Sequence, residues 1–143
     1  MPAPRECRSD CPIAHALDVL GDRWTLLVLR DLLFRSKQRF TELLASPEGI
    51  ATNVLSDRLR RLEEAGLIAR GPDPDDGRKA LYRPTAPGVA LAPTLIEMVL
   101  WGLDHGPPGA SAPPPELVER MRSDRDALVA ELRTRHLGDG TGA

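Results

Sequence analysis

The stretch GIATNVLSDRLRRLEEAGLI, residues 49–68, constrains this chain more than any other. Leu55, Leu59 and Leu62 stand at i, i+4 and i+7, so they share one face of a helix. Thr52, Asn53, Ser56, Asp57 and Arg60 are left pointing outward, with Arg58 and Arg61 flanking them. Gly66 is placed to end the helix, because glycine takes the left-handed closing conformation without steric cost. Most amphipathic helices with a few arginines are plain solvated surface. The meaning of this one therefore rests on its neighbours.

Upstream, Pro12 suits the first position of a helix, and Ile13, Ala16, Leu17 and Leu20 form a short apolar stripe that Gly21 can terminate. Asp22 is a good N-cap for RWTLLVLRDLLF, in which Trp24, Leu27, Val28 and Leu32 face one way and Leu26, Leu29 and Leu33 widen that face. A basic loop, RSKQ, leads to the two-turn segment RFTELLAS and the turn SPEG. Downstream, LIAR, GPDPDDG and RKALYRPT read as strand, turn-rich loop and strand. The order helix, helix, short turn, helix, hairpin predicts a winged helix-turn-helix, a mainly α fold with a small β-hairpin.

The segment VALAPTLIEMVLWGLDHG is apolar around nearly its whole circumference, with Leu95, Ile96, Met98, Val99, Leu100, Trp101 and Leu103 on all sides. A chain this small has little with which to cover such a helix, so a partner chain is the expected cover. A linker of small residues and proline precedes a last helix from Glu116 to about His136. Leu117, Met121, Leu128 and Leu132 form its apolar face, interrupted at Asp124 and Arg125. The predicted organisation is an N-terminal arm over 1–11, a winged helix-turn-helix over 12–88, C-terminal dimerisation helices over 89–137 with a linker at 105–115, and a tail over 138–143.

Among the 143 residues 41% are hydrophobic but only 3% aromatic, so aliphatic side chains must build the core. The formal net charge of −2 argues against wholesale attraction to polyanions and leaves room for a local basic face. No apolar run reads as long enough for a membrane span, and the N-terminus has no signal-peptide core, so a cytoplasmic location and no membrane partner are expected. A phosphate loop, a nucleophile motif and paired carboxylates in a predicted cleft are all missing. No enzymatic activity and no cofactor are expected. Cys7 and Cys11 are too few for a disulfide scaffold or a zinc fold. Cys7, Cys11 and His15 are spaced by four, but Pro12 disfavours the continuous helix that would align them, so no metal site is expected. His105 and His136 look incidental.

Double-stranded DNA accepts one helix in its major groove while flanking cations and amides hold phosphates. Asn53 can pair with adenine and Arg60 with guanine, while Thr52 and Ser56 can serve bases or phosphates. Asp57 repels phosphate, and is expected to read a cytosine amino group or to orient an arginine. Arg39 is also assigned to DNA binding, and Arg78 and Lys79 to the DNA backbone; the acidic wing tip (Asp73, Asp75, Asp76) is not. Residues 50–83 hold seven Lys/Arg against six Asp/Glu, so affinity should be moderate and need two chains.

Four blocks, CPIAHALDVLGDRWTLLVLRDL, RFTELLASPEGIATNVLSDRLRRLEEAGLIAR, YRPTAPGVALAP and LIEMVLWG, resemble the HxlR-type transcriptional regulators, a branch close to the MarR group. That resemblance runs from Cys11 to Gly102. It implies a homodimer on a pseudo-palindromic operator, acting as a repressor released by a signal, with recognition helices roughly 34 Å apart. Ile13, Leu17, Leu95, Val99 and Trp101 are assigned to the dimer contact. The chain departs from the family pattern at Ala51, where Ser or Thr is usual, so Thr52 is expected to cap the recognition helix instead. It departs again at Pro84, so the second wing strand is expected to stop early.

Many relatives sense oxidants or electrophiles through the Cys of the Cys-Pro motif, here Cys11. An N-cap position beside the positive end of the helix dipole favours thiolate, and Cys7 can then act as the resolving thiol. Against this stands a chemically quiet Cys11 at the dimer contact. Two further alternatives stay open at this stage. One is a small aromatic effector bound near Trp24, Met98 and Trp101. The other is a winged-helix interaction module without DNA binding.

Overall fold

The computed structural model describes residues 9–108 and 112–138. Its elements run α1 (Pro12–Leu20), α2 (Thr25–Phe34), α3 (Phe40–Leu44), α4 (Thr52–Glu64), β1 (Ile68–Pro72), β2 (Ala80–Pro84), α5 (Ala86–Val89), α6 (Ala92–His105), α7 (Pro115–Ser123) and α8 (Arg125–Leu137). This is the expected mainly helical chain with one antiparallel hairpin. Cys7, most of the tail and the middle of the linker lie outside the described residues.

The central element is α2. Val28, Leu29, Leu32 and Leu33 are buried on it, and it packs against α4, β2, α6 and α8. Asp22 secures its start. One carboxylate oxygen accepts from the amides of Trp24 (2.9 Å) and Thr25 (3.0 Å), and the other accepts from the Thr25 hydroxyl. The predicted cap is therefore present, although regular helix begins only at Thr25. Just before it, Gly21 closes α1 with φ −78°, not left-handed; a Cβ there would collide with the carbonyl of Leu17.

At the other end of α2, Asp31 is a buried carboxylate with all its partners in place. Arg30 donates at 3.0 Å, Arg35 at 3.1 Å, and the Ser46 hydroxyl donates to its second oxygen. Arg30 also bridges to Glu48. A buried charge is tolerable only when so fully paired. The cluster ties α2 to the turn that delivers the chain into α4.

In α4, Leu55, Leu59 and Leu62 are buried, as their spacing predicts. Gly66, at φ +77°, ends it in a Schellman motif: its amide donates to the carbonyl of Glu63 and that of Leu67 to the carbonyl of Leu62. The start differs from expectation. Thr52 does not cap; Ala51 is the N-cap, in extended conformation, with no side chain to accept a hydrogen bond. The first turn of α4 therefore presents its amides without a side-chain partner.

The hairpin pairs Ile68 with Pro84 through to Pro72 with Ala80. The second strand does not stop early: Pro84 ends the ladder, where its missing N–H costs no inner hydrogen bond. The amide of Tyr82 also donates to the carbonyl of Gln38 at 2.9 Å, so the entry to α3 forms a short third edge of the wing.

The C-terminal part corrects two expectations. The last helix is two helices, broken at Asp124 (φ −141°, ψ 42°). Together α7 and α8 cover much of α6, where Ala92, Ile96 and Leu100 form a second core with Met121, Leu128 and Leu132. Phe34 packs against both cores. The apolar circumference of α6 is thus largely met within the chain. Leu95 lies buried in the first core and is not free for a dimer contact, while Val99 is half-buried against the second core. Met98 (51% exposed) and Trp101 (68%) remain uncovered, and α1, which buries no residue, exposes Ile13 (70%) and Leu17 (59%). One stretch, Ala86–His105, is after all long and apolar enough to match a membrane span by length and composition. It is two helices, and Val89, Leu95 and Ile96 within it belong to the cores.

Partial burial raises the carboxyl of Asp22, but hydrogen bonds from the Thr25 hydroxyl, Arg58 and the Trp24 and Thr25 amides outweigh it and hold it at about 2, below the ordinary 3.8. A folded value below the unfolded one means that the stabilisation is complete above about pH 4 and is lost as pH falls through about 2. We expect Asp22→Asn, which keeps a capping oxygen without the charge, to cost about 1 kcal/mol at neutral pH after solvent screening. It should also flatten the loss of stability between about pH 4 and 2. Urea unfolding of both chains at neutral pH and near pH 3 checks this; an equal loss in both contradicts it.

Candidate nucleic-acid interface

The outer face of α4 carries Thr52, Asn53, Ser56 and Arg60, all exposed, with Asp57 half-buried among them. The helical period that buries the three leucines turns these side chains outward. Asp57 is a hub. One of its oxygens accepts from Arg60 at 2.7 Å, and the other meets Arg61 at 3.0 Å and Arg58. Partial desolvation pushes its carboxyl up, but these guanidiniums prevail and hold it below the usual carboxylate range. Asp57 is therefore an ionised anchor for arginines. Arg60 is held from both sides, by Asp57 and by Glu64 at 3.0 Å.

Arg58 belongs to a different surface. Its side chain is only 18% exposed, and its Nε donates to Asp22 at 2.8 Å. It joins the recognition helix to the cap of α2.

The wing departs most from the sequence reading. Arg39, assigned to DNA binding, is occupied by the wing's own acids: Nε donates to Asp73 at 2.7 Å, and Nη2 to Asp73 at 3.2 Å and Asp75 at 2.9 Å. The hydrogen bonds from Arg39 and the Asp75 amide lower the Asp73 carboxyl to about 2. Asp73 is buried, so the wing tip is less acidic than a count of its aspartates suggests. Arg78 is almost fully exposed and leans on Asp76 at 3.3 Å. Lys79 is exposed and forms no salt bridge among the described residues.

Sequence reasoning missed Arg70. It stands on β1 opposite Tyr82, exposed and without an ion pair among the described residues. It lines a cleft of about 600 Å³ between α4 and the wing, shared with Phe40, Leu59, Arg60 and Tyr82. A neighbouring cleft of about 300 Å³ extends past Arg70 to Thr41 and Lys79. Arg60, Arg70 and Lys79 thus lie along one concave path from the helix to the wing. Strand pairing brings Arg70 there, which no local pattern signals.

The other proposed sites are further apart. Cys11 is the N-cap of α1 and exposed; its amide donates to Ser9 Oγ at 3.0 Å and its carbonyl accepts from the His15 amide. Trp24 packs on the first core and borders a 10 Å³ gap beside the Asp31 cluster. Trp101 stands outward on α6 with its ring 5.3 Å from that of His105. None of the three clefts described is lined by both Trp24 and Trp101.

The HxlR-like helix-turn-helix family profile matches residues 19–109, more than half of the chain. The HTH-type transcriptional regulator sll1512 of Synechocystis is 40% identical over 94 residues, 66% of this chain and 69% of that protein. The reduced form of the transcriptional regulator YodB of Bacillus subtilis superposes with a TM-score of 0.56 at 30% identity, covering 71% of this chain and 99% of YodB. The oxidised redox regulator HypR superposes with a TM-score of 0.57 at 30% identity, covering 66% and 97%. These relatives are transcriptional regulators and not enzymes. The chain belongs to the HxlR-like helix-turn-helix family of transcriptional regulators.

Proposed function

We propose that this regulator binds a pseudo-palindromic operator as a homodimer and represses the promoter it covers. The observation that carries this is the outer face of α4. Asn53, Ser56 and Arg60 are exposed together beside an uncapped helix start, and Arg70 and Lys79 continue the face towards the wing. Side chains at the start of such a helix meet base edges, and cations beside it neutralise phosphates. Most arginines here already have carboxylate partners, so one subunit offers few free cations, and a second subunit supplies the rest.

The dimer is supported by Ile13, Leu17, Met98 and Trp101, four large apolar side chains left exposed on α1 and α6. Leu95 is not part of that surface. Such a regulator works where the chromosome lies, and we place it in the cytoplasm.

For the signal, we infer thiol chemistry at Cys11. The residue is exposed at a helix N-cap, and HypR, a relative of similar fold, is a redox regulator. Cys7 is the proposed resolving thiol.

Footprinting of the promoter regions beside the gene should reveal one protected sequence, bound in the nanomolar range and weakening steeply with salt. Asn53→Ala and Arg60→Ala should each reduce discrimination by on the order of 1–3 kcal/mol at one base pair. A complete lack of protection would overturn the regulator reading.

Trp101→Glu should shift the protein from dimer to monomer in sedimentation equilibrium. An unchanged dimer would place the interface elsewhere.

Diamide should alter operator affinity in the wild-type chain and leave Cys11→Ser unaffected. An equal response in both would remove Cys11 from the switch.

A further inference from the structure

We propose that Arg58 is a positioning residue for base reading. On this view it holds the Asp57–Arg60 pair in register by anchoring Asp57 to the cap of α2. The inference rests on the DNA-reading role of α4 proposed above, and names a residue whose side chain is mostly covered, 18% exposed.

Arg58 lies on the inner flank of α4 and is mostly covered. It spans two carboxylates. Nε donates to Asp22, and Nη1 meets Asp57. Asp22 in turn is saturated: its two oxygens also take the Trp24 and Thr25 amides and the Thr25 hydroxyl. The guanidinium therefore has a fixed point at one end, and at the other a half-exposed side chain on the reading face.

Asp57 passes that constraint outward. The oxygen opposite the one facing Arg58 accepts from Arg60 Nη2 at 2.7 Å. Arg60 is 59% exposed, and its remaining contact, Glu64, is itself 55% exposed. Two exposed side chains on one helix orient each other weakly. The buried end of the chain Asp22–Arg58–Asp57–Arg60 is what can fix the direction of the Arg60 fork. Bidentate reading of guanine depends on that direction.

The test is selection from a duplex library with a randomised core, using the full-length chain, followed by affinity measurement on the enriched motif and its single-base variants. The wild-type chain should enrich a motif. Arg58→Gln should lose about tenfold discrimination at the base pair that Arg60→Ala also affects, while its affinity for random duplex stays within about twofold. Arg58→Gln combined with Asp57→Asn should lose no more than either alone, as expected for residues acting in one chain. Should Arg58→Gln not fold, Arg58→Lys carries the same test, because an ammonium keeps the charge but lacks the fork that spans both acids. A uniform loss across all sequences would make Arg58 merely structural and overturn the inference. So would a motif left intact by Arg58→Gln. A wild-type chain that enriches no motif would overturn the DNA-reading role itself.

Discussion

The burial of Leu29, Leu32 and Leu33 along α2 is the constraint on which the rest of this structure depends. A helix of ten residues touching α4, the hairpin, α6 and α8 cannot move without disturbing all of them. Its two ends are fixed by different chemistry. A carboxylate at the start gathers backbone amides and an arginine from α4. A buried carboxylate near the end gathers Arg30, Arg35 and Ser46. Apolar packing sets where α2 lies, and these two acids set how its neighbours are aimed.

The same pairing governs the electrostatics of the reading surface. Arg39, Arg58, Arg60 and Arg61 each have a carboxylate partner within the chain. A phosphate approaching Arg60 must compete with Asp57 and Glu64, whereas one approaching Arg70 or Lys79 displaces no ion pair. In the proposed DNA complex, backbone attraction and base reading are thereby divided between different cations. That division suits a protein of slightly negative net charge, whose pull on arbitrary DNA is weak.

Local patterns were legible in the sequence. The spacing of Leu55, Leu59 and Leu62, the closing Gly66 and the proline- and aspartate-rich wing loop each act over a few residues, so α4 and the hairpin could be placed from them. Contacts between distant segments were not. Arg58 and Asp22 are 36 residues apart, and Arg39 and Asp73 are 34 apart. Nothing in the periodicity of either segment announces these bonds, so Arg39 looked free and Arg58 looked like a mere flank. The α7–α8 break lacks a proline or glycine, and Asp124 could be read as an interruption of a seam but not as the end of a helix. Missing that break hid the helical pair that covers one side of α6, so the face left for a second copy is narrower than the apolar circumference suggested.

α1 is the opposite of α2. It has nine residues, carries Pro12 at its start and has no fully buried residue, only Leu20 packed part-buried against the first core. An isolated helix of that length is marginal in water, since so few hydrogen bonds follow the costly first turn. Within the subunit, the contact of Leu20 with the first core holds only its last turn. In the proposed homodimer, covering Ile13 and Leu17 would tie the order of the segment next to Cys11 to the association of two chains.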